Sequence, residues 1–175
     1  MLTSLKQLAM RSLLITALIY VFYVNVISSN AVFTNVAYSK PVTLSSEHGF
    51  FPGKNAVNGL LSDFTHTATE KLPWLRIDLG AQHLVHQIEV FARSDCCGNQ
   101  LQDFDITVGE NIHDMHFCGH FTGHASTGQR IAVFCPHNTV GRFVQLQIVS
   151  GNANVLTPAE VLVWGVHVQR KRTIH

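Results

Sequence analysis

The chain has 175 residues, 46% of them apolar and 13% charged, with a formal net charge of +1. That composition supports one buried core plus a short extra segment and argues against a disordered chain. The near-zero charge leaves no electrostatic case for nucleic acid as a partner and no basic helix for a membrane surface.

The first 31 residues read as a cleavable secretory signal. Lys6 and Arg11 precede an apolar run over 13–24, and Ser29 and Ala31 supply a small-x-small exit. The run is short of the roughly 18 apolar residues of a membrane span, so cleavage is expected after Ala31 and no membrane insertion is expected. The expected limits are a signal over 1–31, a secreted extracellular domain over 32–168 and a basic tail over 169–175. Arg170, Lys171 and Arg172 in that tail read as a solvated end.

The rest of the chain reads as short strands. Over 74–80, Leu75, Ile77 and Leu79 share one face while Arg76 and Asp78 share the other. Over 84–92, Val85, Ile88, Val90 and Ala92 alternate with an irregularity at His86-Gln87. The stretches 104–109, 130–135, 142–149 and 160–168 behave in the same way, and turns rich in Gly, Asn, Asp and Pro separate them. Six to nine short strands and no helical periodicity predict an all-β fold, an antiparallel β-sandwich or jelly roll.

In an oxidising compartment the four cysteines suggest disulfides. Cys118 and Cys135 flank a stretch that reads as a hairpin with a Gly- and Ser-containing turn, which their pairing would close. That leaves Cys96 and Cys97. Adjacent Cα atoms sit about 3.8 Å apart, below the usual minimum of about 4.4 Å for a bridge. Cysteine arithmetic alone therefore favours a separate partner for each neighbour.

Enzyme signatures are missing from the sequence. There is no G-x-S-x-G, no H-E-x-x-H, no glycine-rich phosphate loop and no convincing pair of catalytic carboxylates. His113, His116, His120 and His124 recur at spacings of 3, 4 and 4, but Gly119 and Gly123 interrupt them. They read as surface loop histidines rather than a zinc site. Oxidised cysteines are poor nucleophiles, so the chain reads as a binding protein and not an enzyme.

Arg93, Asp95, Cys96 and Cys97, in the run RSDCCGNQL after PWLRIDLG, carry a resemblance. The stretches NVAYSKPVTLSS, KNAVNG and PAEVLVWG extend it over essentially the whole domain. The chain resembles the F-type lectins, or fucolectins, of the discoidin and coagulation-factor C-type sandwich class. The resemblance implies a secreted lectin for fucose or fucosylated glycans, active in innate recognition and in some cases oligomeric. It implies a Cys96–Cys97 bridge serving as a small apolar platform under the sugar, with Cys118 left to Cys135. His66 and Arg93 match the family's sugar-binding His and Arg, 27 positions apart here, and Asp95 orients the arginine.

Two departures stand out. Gln100 occupies the position of the family's second basic residue, which replaces a charged fork by a neutral amide. Phe64 and Ala159 stand where the family has a further disulfide, so an apolar contact between them is expected instead. The resemblance also implies a structural calcium ion. Its matching positions are Asn55, Asn58, Leu60, Asp63, Ala159 and Glu160, with Leu60 and Ala159 offering main-chain oxygen only. Gln100 and a short 59–66 loop raise a second expectation: a discoidin-like interaction module for another glycan, a protein or a lipid surface, with Phe50 and Phe51 as candidate contact residues.

Overall fold

The computed structural model describes residues 32–168. The expected signal, 1–31, and the basic tail, 169–175, lie outside them. Eight strands follow in chain order: β1 Thr34–Asn35, β2 Val42–Leu44, β3 Trp74–Ala92, β4 Gln102–Asn111, β5 Asp114–His124, β6 Arg130–Phe134, β7 Val140–Ile148 and β8 Pro158–His167. All their pairings are antiparallel.

β3 organises the sandwich. Its first half pairs with β2 and β7, and β7 continues to β4 and β5. Its second half pairs with β8 and β6, and β1 adds at the edge of β8. The register shifts between Asp78 and His83, where Gly80 takes φ +81°, a backbone angle that a side chain disfavours. One strand thus serves both layers, which is how two runs that read separately, 74–80 and 84–92, become one element. The irregularity at His86-Gln87 is a bulge in the ladder to β8.

Alternation fills the space between the layers. Leu75, Ile77 and Leu79 of β3, Phe104, Ile106 and Val108 of β4 and Val144, Leu146 and Ile148 of β7 are buried. Ile88 and Val90, Val161 and Val163, and Ile131 and Val133 are the buried residues of the other layer. These side chains form one cluster.

The stretch over 118–135 differs from a hairpin. β5 pairs with β4, whereas β6 pairs with β3, so the two strands belong to different layers. The Cys118–Cys135 disulfide joins them instead of a ladder. His116, His120 and His124 lie on β5 itself, not in a loop, and His113 lies in the turn before it. His120 Nδ1 meets Asp105 Oδ1 at 2.7 Å across the strand pair. Among the described residues no group of three or more His, Cys, Asp or Glu side chains gathers in a metal-binding arrangement.

Asn154 clasps the loops at one end of the sandwich. Its amide donates to the carbonyls of Lys71 (2.6 Å) and Ser150 (2.8 Å), and its Oδ1 accepts from Gln102 Nε2 (2.7 Å). Its main chain exchanges two hydrogen bonds with Glu70. The side chain is buried, so these bonds carry the desolvation of every group they join.

Candidate carbohydrate site and oxygen-lined loop

Arg93 leaves the end of β3, its carbonyl accepting from Gly128 N at 2.7 Å. Its guanidinium grips Asp95 with two bonds, Nε to Oδ1 at 3.0 Å and Nη2 to Oδ2 at 2.6 Å. The Arg93 bonds, with main-chain help, hold the Asp95 carboxyl down to about 2. The cationic carbon of Arg93 stands 3.6 Å over the ring of Phe64, which stacks on Phe51 at 4.4 Å. Only 11% of the Arg93 side chain is exposed. A long, flexible cation is thereby fixed from two directions.

Cys96 and Cys97 are bonded to each other, and Cys97 takes φ 60°. The chain then turns through Gly98–Gln100, closed by Gln100 N to Cys97 O at 3.0 Å, and is anchored by the buried Leu101. A Cβ on Gly98 would lie 2.4 Å from the main chain of Ser126 and Thr127, so only glycine lets the bridged turn sit against that loop. Gln100 Oε1 accepts from the Thr157 hydroxyl at 2.9 Å.

His66 sits between two fully buried threonines. Thr65 N donates to Pro158 O and Thr67 N to Leu156 O, which fixes this segment beside the start of β8. His66 N donates to Phe51 O. Its Nδ1 lies 2.6 Å from Thr67 O. A carbonyl can only accept, so Nδ1 carries the proton and the Nε2 of the neutral ring is an acceptor. The His66 ring is 6.4 Å from that of Phe64 and 5.0 Å from that of His48.

His66 and Arg93 therefore stand about Phe64, Asp95 holds Arg93, and the bridge of Cys96 and Cys97 follows in the same turn as Gln100. The Phe64 ring meets Phe51 and Arg93, and Ala159 is buried in β8, beside the segment that carries Phe64. Phe51 and Thr157, and the part Phe64 plays as the seat of Arg93, are the contributions that sequence reading missed. The alternation of Phe64 and His66 with Thr65 and Thr67 was the available signal that the two pairs face opposite ways.

The second predicted set is spread over the 3₁₀ turn Gly53–Val57, which holds Asn55, the loop after it, which holds Asn58, Leu60 and Asp63, and the start of β8, which holds Ala159 and Glu160. Asn55 Nδ2 donates to Asp63 Oδ1 (3.0 Å) and to Phe64 O (3.0 Å), and Asn58 Nδ2 donates to Asp63 Oδ2 (3.1 Å). Leu60 N donates to Asn58 Oδ1 at 2.8 Å, and Leu60 O accepts from Asp63 N. Glu160, 2% exposed, takes Gly59 N on Oε2 at 3.1 Å, while its buried Oε1 has no partner. Burial pushes its carboxyl up to about 7 against the lowering pull of the Gly59 and Asn58 main chain. An orphaned carboxylate oxygen beside an aspartate, two amides and main-chain carbonyls is a donor set of oxygen alone, and it fits a hard cation. A cleft of about 510 Å³ opens on the loop, lined by Asn55, Asn58 and Asp63, with Lys40 and Lys54 on its walls.

Residues 55–146 match the NedA-like, galactose-binding domain model of the F5/F8 type C family, more than half of the chain. The chain belongs to that family, whose discoidin-like sandwich is the one described above. Within it, the chain is similar to a fucolectin of Anguilla anguilla, 26% identical over 103 residues, covering 57% of this chain and 65% of that protein. A serum f-lectin (fucolectin) from Morone saxatilis, the striped bass, is similar in structure, with a TM-score of 0.70 at 28% identity over 77% of this chain. The match spans 50% of that f-lectin. The lectin domain of lectinolysin, solved with Lewis B antigen, superposes with a TM-score of 0.65 at 25% identity, covering 74% of this chain and 95% of that one.

Proposed function

We propose that the domain is a secreted lectin for fucose or fucosylated glycans, stabilised by calcium and serving in innate recognition. The observation that carries the reading is the placing of His66 and Arg93 about one aromatic side chain, Phe64, with the bridged Cys96–Cys97 in the turn that follows Arg93. A deoxyhexose has hydroxyl and ring oxygens on one side and a methyl group on another. Arg93 offers charged N–H donors to the oxygens, His66 Nε2 accepts a hydroxyl proton, and the disulfide ring and aromatic side chains cover apolar carbon. Lectin relatives of this chain, one of them solved with Lewis B antigen, support the ligand class.

Calcium would be held by Asn55, Asn58, Leu60, Asp63, Ala159 and Glu160, the last two through a main-chain oxygen and a carboxylate. Its part is to tie the 53–63 loop to β8. The segment carrying Phe64 and His66 follows directly, so the loop's order bears on the sugar site. A neutral Gln100 in place of a cation lowers the affinity by roughly tenfold, given about 0.5–1.5 kcal/mol for a neutral hydrogen bond against about 1.5–3 for a charged one.

The test is a titration of the ¹⁵N-labelled domain with L-fucose and, separately, D-galactose. Shifts confined to His66, Arg93 and the 95–101 turn under fucose support the reading. Shifts elsewhere, or with neither sugar, count against it. Phe50, 97% exposed at a loop tip, favours the second reading, in which this loop docks on a protein or lipid surface. Vesicle binding lost in Phe50→Ser without any fucose shift would decide for it.

A further inference from the structure

We propose that Thr157 is a positioning residue that makes Gln100 a fixed pair of N–H donors and so sets the specificity of the site. The inference deepens the lectin reading and rests on it for the nature of the ligand.

Thr157 is 1% exposed and stands between Leu156 and Pro158, whose carbonyls receive Thr67 N and Thr65 N. It is therefore as firmly placed as the segment that carries His66. Its hydroxyl has one proton, which goes to Gln100 Oε1 at 2.9 Å. A buried hydroxyl that loses its acceptor forfeits its desolvation, so the bond resists rotation of the amide. With Oε1 tied back, Nε2 faces away from Thr157 with two donors that take no protein partner among the described residues.

Arg93 is similarly committed. Asp95 takes the Nε proton and one Nη2 proton, which leaves Nη1 and the second Nη2–H for a ligand. The site then offers N–H donors from Arg93 and Gln100 and one acceptor, His66 Nε2. Asp95 also balances the charge of Arg93, and Gln100 adds none. A ligand that fits supplies one hydroxyl proton and at least two oxygen lone pairs without a charge of its own. Neutral deoxy- and hexose sugars satisfy this; carboxylated or sulfated sugars gain little from a site with no net charge. If the amide were free to flip, Oε1 would face the ligand half the time and the donor pattern would be lost.

The experiment measures affinity for L-fucose and the side-chain amide order of Gln100 in the sugar-free protein, in the wild type, Thr157→Val and Thr157→Ser. Thr157→Val keeps the shape of the side chain and removes the proton. It is expected to weaken fucose about tenfold, Thr157→Ser to stay within about twofold of wild type, and Thr157→Val to have no further effect in a Gln100→Ala background. The Gln100 amide order parameter is expected to be high in the wild type, below about 0.6 in Thr157→Val and restored in Thr157→Ser. An amide already mobile in the wild type overturns the proposal. So does an equal loss of affinity from Thr157→Val with and without Gln100. If the wild type binds no fucose while the amide is ordered and Thr157→Val releases it, the lectin reading fails and the positioning stands.

Discussion

Phe64 is the residue whose removal says most about how the site is built. Its ring lies between Phe51, at 4.4 Å, and the guanidinium of Arg93, at 3.6 Å. A partly desolvated cation–π contact contributes about 1–2 kcal/mol, a stacked aromatic pair about 1 kcal/mol beyond its area, and the half-buried ring itself about 1 kcal/mol. Phe64→Ala is therefore expected to cost roughly 3–4 kcal/mol, and Phe64→Leu, which keeps apolar area but no ring, roughly 2 kcal/mol. For a domain of this size a loss of 3 kcal/mol lowers the melting temperature by roughly 10 °C. Urea unfolding followed by intrinsic fluorescence reads the stability directly. Sugar affinity of the folded variants should fall by at least about tenfold, because Arg93 keeps Asp95 but loses its seat. A Phe64→Ala protein within about 0.5 kcal/mol of wild type and unchanged in sugar affinity would refute the claim that Phe64 organises the site.

Other perturbations separate the remaining parts. Arg93→Ala is expected to abolish detectable fucose binding and to cost about 1–2 kcal/mol through the lost contact with Phe64 while the domain stays folded; calorimetry and circular dichroism on one sample check both halves. Asn154→Ala removes three buried side-chain hydrogen bonds and should cost about 2–4 kcal/mol in urea unfolding. Gly98→Ala drives a methyl group into the Ser126–Thr127 main chain and should displace the bridged turn, seen as shifted amide resonances over 96–101 and weakened sugar binding. Glu160 sets a pH dependence. Its carboxyl titrates at about 7 in the folded chain against an ordinary value of 4.5, so the folded state binds the extra proton between those values. Stability in chelator should thus fall as pH rises from about 4.5 to 7, by at most roughly 3 kcal/mol. Glu160→Gln should flatten that slope and remove any stabilisation by added calcium; a slope unchanged in the variant would assign it to another group.

The parts of the fold visible in the sequence are those where alternation carries a core face. Leu75, Ile77 and Leu79 could be read because each buried position is filled by a large aliphatic residue between polar ones. β5 could not, because its buried or half-buried positions include Gly119, Gly123 and Cys118, and it lies at a sheet edge with little core to fill. The 118–135 stretch looked like a hairpin because sequence shows a turn between two extended runs but not which strand each run joins. At the site, Arg93, Asp95 and the two cysteines were legible because they sit within five positions of one another. The seat of Arg93 on Phe64 and the bond from Thr157 to Gln100 were not, since each joins residues that only the sandwich brings together. The 55–63 loop was legible as a set of oxygen donors through resemblance, while the orphaned Oε1 of the buried Glu160 emerged from packing alone.

The measurement that bears most directly on the proposed function is retention of the disulfide-intact domain on immobilised fucose, with calcium and with chelator, beside Arg93→Ala. Retention in calcium, elution by free fucose, weaker retention in chelator and passage of Arg93→Ala unretained are the results predicted. A folded wild-type domain that passes through unretained in calcium, or an Arg93→Ala domain that is held as well as wild type, would contradict it.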